Sequence, residues 1–157
     1  MRNMKIKNTG LTLVEIMIVL SILGIVSAIA FPTMLPIIRE NRVKSETRKV
    51  VDNLKLARMT SLKDVAETTV SIENSKQITV KQTGSDGKEK IIRQINVEYS
   101  AVYITASPTS VTFRSDGTLK YDSNAAMPDI VVSDGVSEYY ISVKLSGLAS
   151  VEPMKQI

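Results

Sequence analysis

The chain contains no cysteine, no histidine and no tryptophan among its 157 residues. Without cysteine there can be no disulfide, no thiol nucleophile and no thiolate metal site. Without histidine the commonest general base and the commonest metal ligand are missing together. A hydrolase or a zinc centre would therefore need an unusual construction, and no nucleophile motif offers one. Aromatic residues are also scarce, with two Phe and five Tyr, so any core must be built mainly from Val, Ile and Leu. Tyr99, Tyr103, Tyr121, Tyr139 and Tyr140 are too scattered for a base-stacking platform. The formal charge of +4 gives little support to an anionic partner, because Arg2, Lys5 and Lys7 alone carry three of those charges.

What the chain does have is concentrated near its start. Residues 1–10 are short, basic and polar. After Glu15 no charged residue occurs from Ile16 to Ile38. As a helix rising about 1.5 Å per residue, that run reaches roughly 34 Å, enough to cross a hydrocarbon layer of about 30 Å. Basic residues before it predict a cytoplasmic N-terminus, with the C-terminal part on the far side. A cleaved secretory signal is the competing reading, with small residues at Ser27-Ala28-Ile29-Ala30. Against it, the run continues to Ile38, and Glu15 has no use in a signal core.

From Arg39 to about Lys63 the pattern becomes one-sided. Val43, Thr47, Val50, Val51, Leu54, Ala57 and Leu62 recur at helical spacing, while Arg39, Arg42, Lys44, Glu46, Arg48, Lys49, Asp52 and Lys55 occupy the other faces. One long helix is expected from Leu11 to near Lys63, with Gly24, Pro32 and Pro36 as points that bend or loosen it. Past Val65 the texture is β-branched. Strands are expected at Thr68–Ile72, Gln77–Val80, Ile91–Tyr99, Val111–Arg114, Leu119–Tyr121, Ile130–Val132 and Tyr139–Leu145. Turns fall at Gly84–Gly87, Ser115–Thr118 and Asp134-Gly135, with a loop from Asp122 to Pro128. The expected class is α+β: residues 1–10 a leader, 11–64 a long helix (membrane-spanning about 16–38, amphipathic 39–63) and 65–157 a β-rich head of antiparallel strands.

The stretch Gly10-Leu11-Thr12-Leu13-Val14-Glu15, with the basic leader before it and the uncharged helix after it, resembles the class III leader of type IV pilins and pseudopilins. Gly24 and Pro32 also fall where that family's helix commonly carries glycine and proline. Leu11 stands where Phe is more usual. The segments Asn53–Arg58, Val111–Thr118 and Ser146-Gly147-Leu148 look like the FimT/GspH group of minor pilins and pseudopilins.

The resemblance implies cutting after Gly10 by a prepilin peptidase and methylation of the new N-terminus at Leu11. It also implies assembly with other pilins through the N-terminal helices at an inner-membrane platform. Glu15 would then set register by pairing with a neighbour's N-terminal amine. The expected location is the cytoplasmic membrane, then a filament of a type II secretion or type IV pilus system. A major pilin and a DNA-binding pilin of natural transformation stand as alternatives. Members of the group often carry Arg after the late glycine, and some with basic tails are tied to DNA uptake; Gly147-Leu148-Ala149-Ser150-Val151-Glu152 lacks that Arg.

Gly10 suits proteolysis because a bare backbone lets catalytic groups approach the scissile bond. A lone carboxylate in hydrocarbon must be paired or protonated, which makes Glu15 a register key or an acid at the bilayer surface. Asp116, Asp122, Asp129 and Asp134 lack the spacing of a calcium loop and read as turn residues. The basic cluster from Arg39 to Lys49 is interleaved with acids and reads as a solvated face rather than a lipid or DNA contact. No cofactor and no metal site are expected.

Overall fold

The computed structural model describes residues 12–121 and 127–152. Gly10, Leu11 and Asp122 lie outside the described residues. A single helix, α1, runs Leu13–Asp64. Eight strands follow: β1 Thr68–Glu73, β2 Gln77–Thr83, β3 Glu89–Asn96, β4 Tyr103–Ser107, β5 Ser110–Phe113, β6 Asp129–Ser133, β7 Glu138–Val143 and β8 Ala149–Glu152. The chain separates into a segment ending at Ile38 and a compact unit that begins at Arg39.

In the first of these, every large apolar side chain from Leu13 to Ile38 is exposed within the protein itself. The helix is assigned without interruption through Gly24, Pro32 and Pro36. It is long and apolar enough to cross a membrane, by length and composition alone.

In the second unit, the outer part of α1 buries a stripe. Val43, Val50, Leu54 and Ala57 are all at most 1% exposed, at spacings of seven, four and three residues that keep them on one side of a helix. They enter one core with residues from two antiparallel sheets. One sheet has the order β3-β2-β1-β5, the other β4-β6-β7-β8. Val70, Ile78, Val80, Val111 and Phe113 come from the first sheet; Ile104, Ile130, Val132, Ile141 and Val143 come from the second. Strict alternation along β7, with Tyr139, Ile141 and Val143 buried, gives that strand one face for the core and one for solvent.

Several details differ from the pattern-based expectation. Leu119–Tyr121 is not a strand: only Leu119 bridges Phe113. Its N–H instead donates to Leu145 O at 3.0 Å, which draws the segment toward the β7–β8 turn. Leu62, expected on the buried stripe, is 46% exposed. Glu46, expected outside, is 2% exposed. Two strands, β4 and β8, are not evident from pattern. The first has alternation but sits among small and polar residues; the second is only four residues long.

Candidate functional site

At the start of α1, Thr12 accepts the N–H of Glu15 on its hydroxyl at 3.2 Å. Its carbonyl also takes the N–H groups of Glu15 and Ile16. Thr12-Leu13-Val14-Glu15 is thus a helix-start sequence of the Ser/Thr-x-x-Glu kind. Thr12 is absent from the residues singled out by sequence, although that spacing was the available signal. Glu15 lies in the first helical turn, where the exposed N–H groups favour a negative charge. It needs no pairing to be tolerated at that position in water. No cation contacts its carboxylate among the described residues. Immediately beyond it, the helix presents exposed apolar side chains without a charge until Arg39. An acid that is comfortable in water therefore borders a surface that is not.

The basic cluster beyond Ile38 divides into distinct contacts. Arg42 lies over the Tyr99 ring, 5.3 Å from its centroid. Lys49 Nζ is 3.1 Å from both Glu46 Oε1 and Glu98 Oε2. The same Glu46 oxygen accepts the Glu98 N–H at 3.2 Å, so the carboxylate is compensated where it is buried. Burial pulls the Lys49 pKa down, but hydrogen bonds and charge from Glu46 and Glu98 together hold it above its ordinary value. Lys44 and Arg48 make no ion pair among the described residues.

At the other end of the helix, Arg58 Nε donates to Gly117 O at 3.1 Å. Gly117 and Gly147 are the positive-φ residues of two separate turns, and a Cβ on Gly147 would lie 2.1 Å from Gly117 O. The two turns meet there only because no side chain intervenes. Across the unit, Lys76 Nζ donates to the carbonyls of Tyr99, Ser100 and Val102 and ties down the segment leading into β4.

Of the aspartates weighed as calcium ligands, Asp116, Asp129 and Asp134 lie in the described residues and serve separate local roles. Asp116 accepts the N–H and hydroxyl of Thr118 at 2.9 and 2.6 Å, and these bonds hold its carboxyl below the usual range. Asp134 accepts the N–H groups of Val136 and Ser137, and Asp129 opens β6. Among the described residues no group of three or more acids is placed to hold a metal ion. Tyr139 donates to Glu40 at 3.3 Å, while Tyr140 donates to Glu138 at 2.8 Å.

Comparison with known proteins adds two findings of different reach. A family model described as the prokaryotic N-terminal methylation motif matches residues 5–31. Among solved structures, the type IV minor pilin FimU of Pseudomonas aeruginosa superposes with a TM-score of 0.59 at 16% identity, over 74% of this chain and 94% of that one. The minor pseudopilin EpsH from the type 2 secretion system of Vibrio cholerae does so in two structures. Their TM-scores are 0.57 and 0.58, their identities 10% and 9%, over 71% and 75% of this chain and 97% and 98% of theirs. At such identities the likeness establishes the fold, which is pilin-like: a long N-terminal helix packed on antiparallel sheets. No curated protein matches the sequence.

Proposed function

We infer that this chain is a minor pilin or pseudopilin, a structural subunit that is processed at its N-terminus and assembled into a filament by packing its apolar helix. The observation that carries the inference is a conjunction at one junction. The methylation motif spans residues 5–31, and inside it Glu15 stands in the first helical turn. Beyond Glu15 lies an apolar surface whose side chains are exposed among the described residues. A minor-pilin fold then continues from the same helix. Each of these features has other uses alone; a membrane-stored filament subunit uses all four.

The steps rest on ordinary chemistry. The precursor is held in the cytoplasmic membrane by Ile16–Ile38, with its basic leader on the cytoplasmic side and its head on the other. A prepilin peptidase cuts after Gly10, and the new amine at Leu11 is methylated. That amine carries a positive charge into the same apolar layer that holds Glu15 of a neighbouring subunit. Pairing the two offsets the desolvation of both, and a slip in register leaves both unpaired. Gly24, Pro32 and Pro36 let the helix adjust on insertion, since each proline lacks the N–H that would close a helical bond. No part of this scheme requires catalysis by the chain itself.

The test uses two variants. Glu15→Val is expected to insert in the membrane and be cut normally, yet be lost from sheared filaments or from cross-linked pseudopilus complexes. Normal incorporation would overturn the pairing mechanism. Gly10→Val is expected to leave the precursor uncut, visible as the absence of a mobility shift when prepilin peptidase is co-expressed. Complete processing would overturn the cleavage assignment.

A further inference from the structure

Between the outer part of α1 and the edge strand β8 runs a groove made of two contiguous hollows of about 240 and 310 Å³ that share Lys55. Its floor is apolar, with Val51, Tyr139 and Val151 in one hollow and Met59, Leu62 and Leu148 in the other. Met59, Leu62, Leu148 and Val151 are each more than 40% exposed, an arrangement that leaves apolar area in water.

Two further features define what could cover it. The first is a free backbone edge. β8 is the last strand of its sheet. Lys144 N donates to Leu148 O and Gly147 N to Lys144 O in the turn before it, which fixes the alternation of the ladder. Ser142 and Ser150 then form a bonded pair, while Ala149 and Val151 direct their N–H and C=O groups away from β7. Unpaired groups of this kind accept another strand. The second feature is charge. Lys44, Arg48, Lys55 and Arg58 line the helix wall, and Asp52 is the one carboxylate among the lining residues. Lys44, Arg48 and Lys55 pair with no carboxylate among the described residues.

We propose that this groove receives an extended segment of a neighbouring protein, alternating apolar with acidic residues, that adds as a strand to β8. The edge dictates an extended backbone, and the floor takes apolar side chains from every second position. The positive field of the basic wall favours carboxylates at the positions between them, which face outward. This proposal goes beyond the assembly mechanism at Glu15. It concerns residues 44–151 only, so it stands or falls separately from the tests at Gly10 and Glu15.

The experiment is fluorescence anisotropy of the full chain in detergent micelles against labelled ten-residue peptides. One set alternates Val or Ile with Glu or Asp; the other carries Lys in place of the acids. Empty micelles serve as the blank. Saturable binding of the acidic set is expected, at least about tenfold tighter than of the basic set, a difference of about 1.4 kcal/mol. The double variant Lys44→Glu with Arg48→Glu alters two exposed positions and should erase that preference. Val151→Pro removes an outward N–H, a place where proline is tolerated at an edge, and should weaken binding about tenfold. Failure of the acidic peptides to bind, equal binding of both sets, or an unchanged double variant would overturn the proposal. So would binding that emerges only when residues 153–157 are deleted, since the chain's own tail would then be the occupant. Retention of short duplex DNA or of anionic vesicles by the same residues, without peptide binding, would also overturn it.

Discussion

The two halves of α1 solve the problem of apolar surface in opposite ways. From Leu13 to Ile38 the helix is apolar on all sides and no side chain is buried. From Arg39 to Asp64 the same helix buries one stripe in a core shared with both sheets and gives its other faces to charged residues. Secondary structure does not distinguish them, since both are one continuous helix. The difference is in what solvent each half is made for. A helix that is hydrophobic all round is built for a wholly apolar environment, and a one-sided helix is built for a globular surface. One element thus joins a part that is incomplete until something else covers it to a part that already holds a core.

The sharpest way to break this contrast is to cut into the core and ask which half registers the change. Phe113 is fully buried and joins the core that the outer half of α1 helps to form. Phe113→Ala should lower the stability of the head by about 3–5 kcal/mol, read as the midpoint of denaturant unfolding of the detergent-solubilised chain. Ile22→Ala, in the exposed half, should change that stability by less than about 0.5 kcal/mol. A comparable loss from Ile22→Ala would mean that the first half contributes to the core after all.

A second contrast, within the head, separates packing from backbone conformation. Gly147 and Gly135 both have positive φ, at 77° and 84°. A Cβ on Gly135 meets nothing within 4 Å, whereas on Gly147 it runs into Gly117 O and Arg58. Gly135→Ala should therefore cost only the conformational penalty, about 1–2 kcal/mol. Gly147→Ala should cost at least about 1 kcal/mol more, because two turns and the Arg58 bond must shift. Equal losses in thermal unfolding would show that the turns do not rely on that close approach.

Comparable in size is the effect of the group that buried Glu46 forms with half-buried Lys49 and exposed Glu98. Glu46→Ala leaves the Glu98 N–H and Lys49 without their shared acceptor and should cost about 1–3 kcal/mol. Its pH signature has a definite sign. The Lys49 pKa is raised in the folded state, so its contribution is fully present below the unfolded value. That contribution is lost as pH climbs through the higher folded value. Stability measured from about pH 9 to about pH 11.5, a span that brackets the ordinary lysine value, should fall more for the natural chain than for Lys49→Met. Parallel curves would remove Lys49 from the account.

Much of the fold is legible in the sequence, for reasons that differ by region. The uncharged run and its acid need no tertiary context to be read, and the β-branched and aromatic residues of β1, β2, β6 and β7 mark those strands by composition. The β4 and β8 strands are not legible because their pairing partners define them more than their own residues do. Glu46 defies its pattern because helical spacing says only which face a residue is on. It does not say that Lys49, one turn further along, and the Glu98 N–H from beyond β3 come together to cover it. Leu62 departs in the opposite sense, since the buried stripe continues from Ala57 to Ser61, one helical turn on, and leaves Leu62 beside it. Gly10 and Leu11 lie outside the described residues, so the cleavage site rests on its sequence pattern alone.

The smallest predicted effect tests whether the turns of the head are set locally. Asp116 is exposed, and its carboxyl is held low first by the Thr118 hydroxyl and then by the Thr118 N–H. A depressed folded pKa means that its contribution is present above the unfolded carboxylate value, about 3.9, and disappears as pH falls through the lower folded value. An NMR titration of the Asp116 side-chain carboxyl should therefore show a midpoint below that value, and Thr118→Val should move the midpoint up toward it. Asp116→Asn should lower thermal stability slightly near neutral pH and not at all in strong acid, where the natural residue is also uncharged. A midpoint at the ordinary value would mean that the Thr118 bonds do not persist in solution. The Ser115–Thr118 turn would then be held by Gly117 and its contacts with Arg58 and Leu62, which returns the determinant to α1.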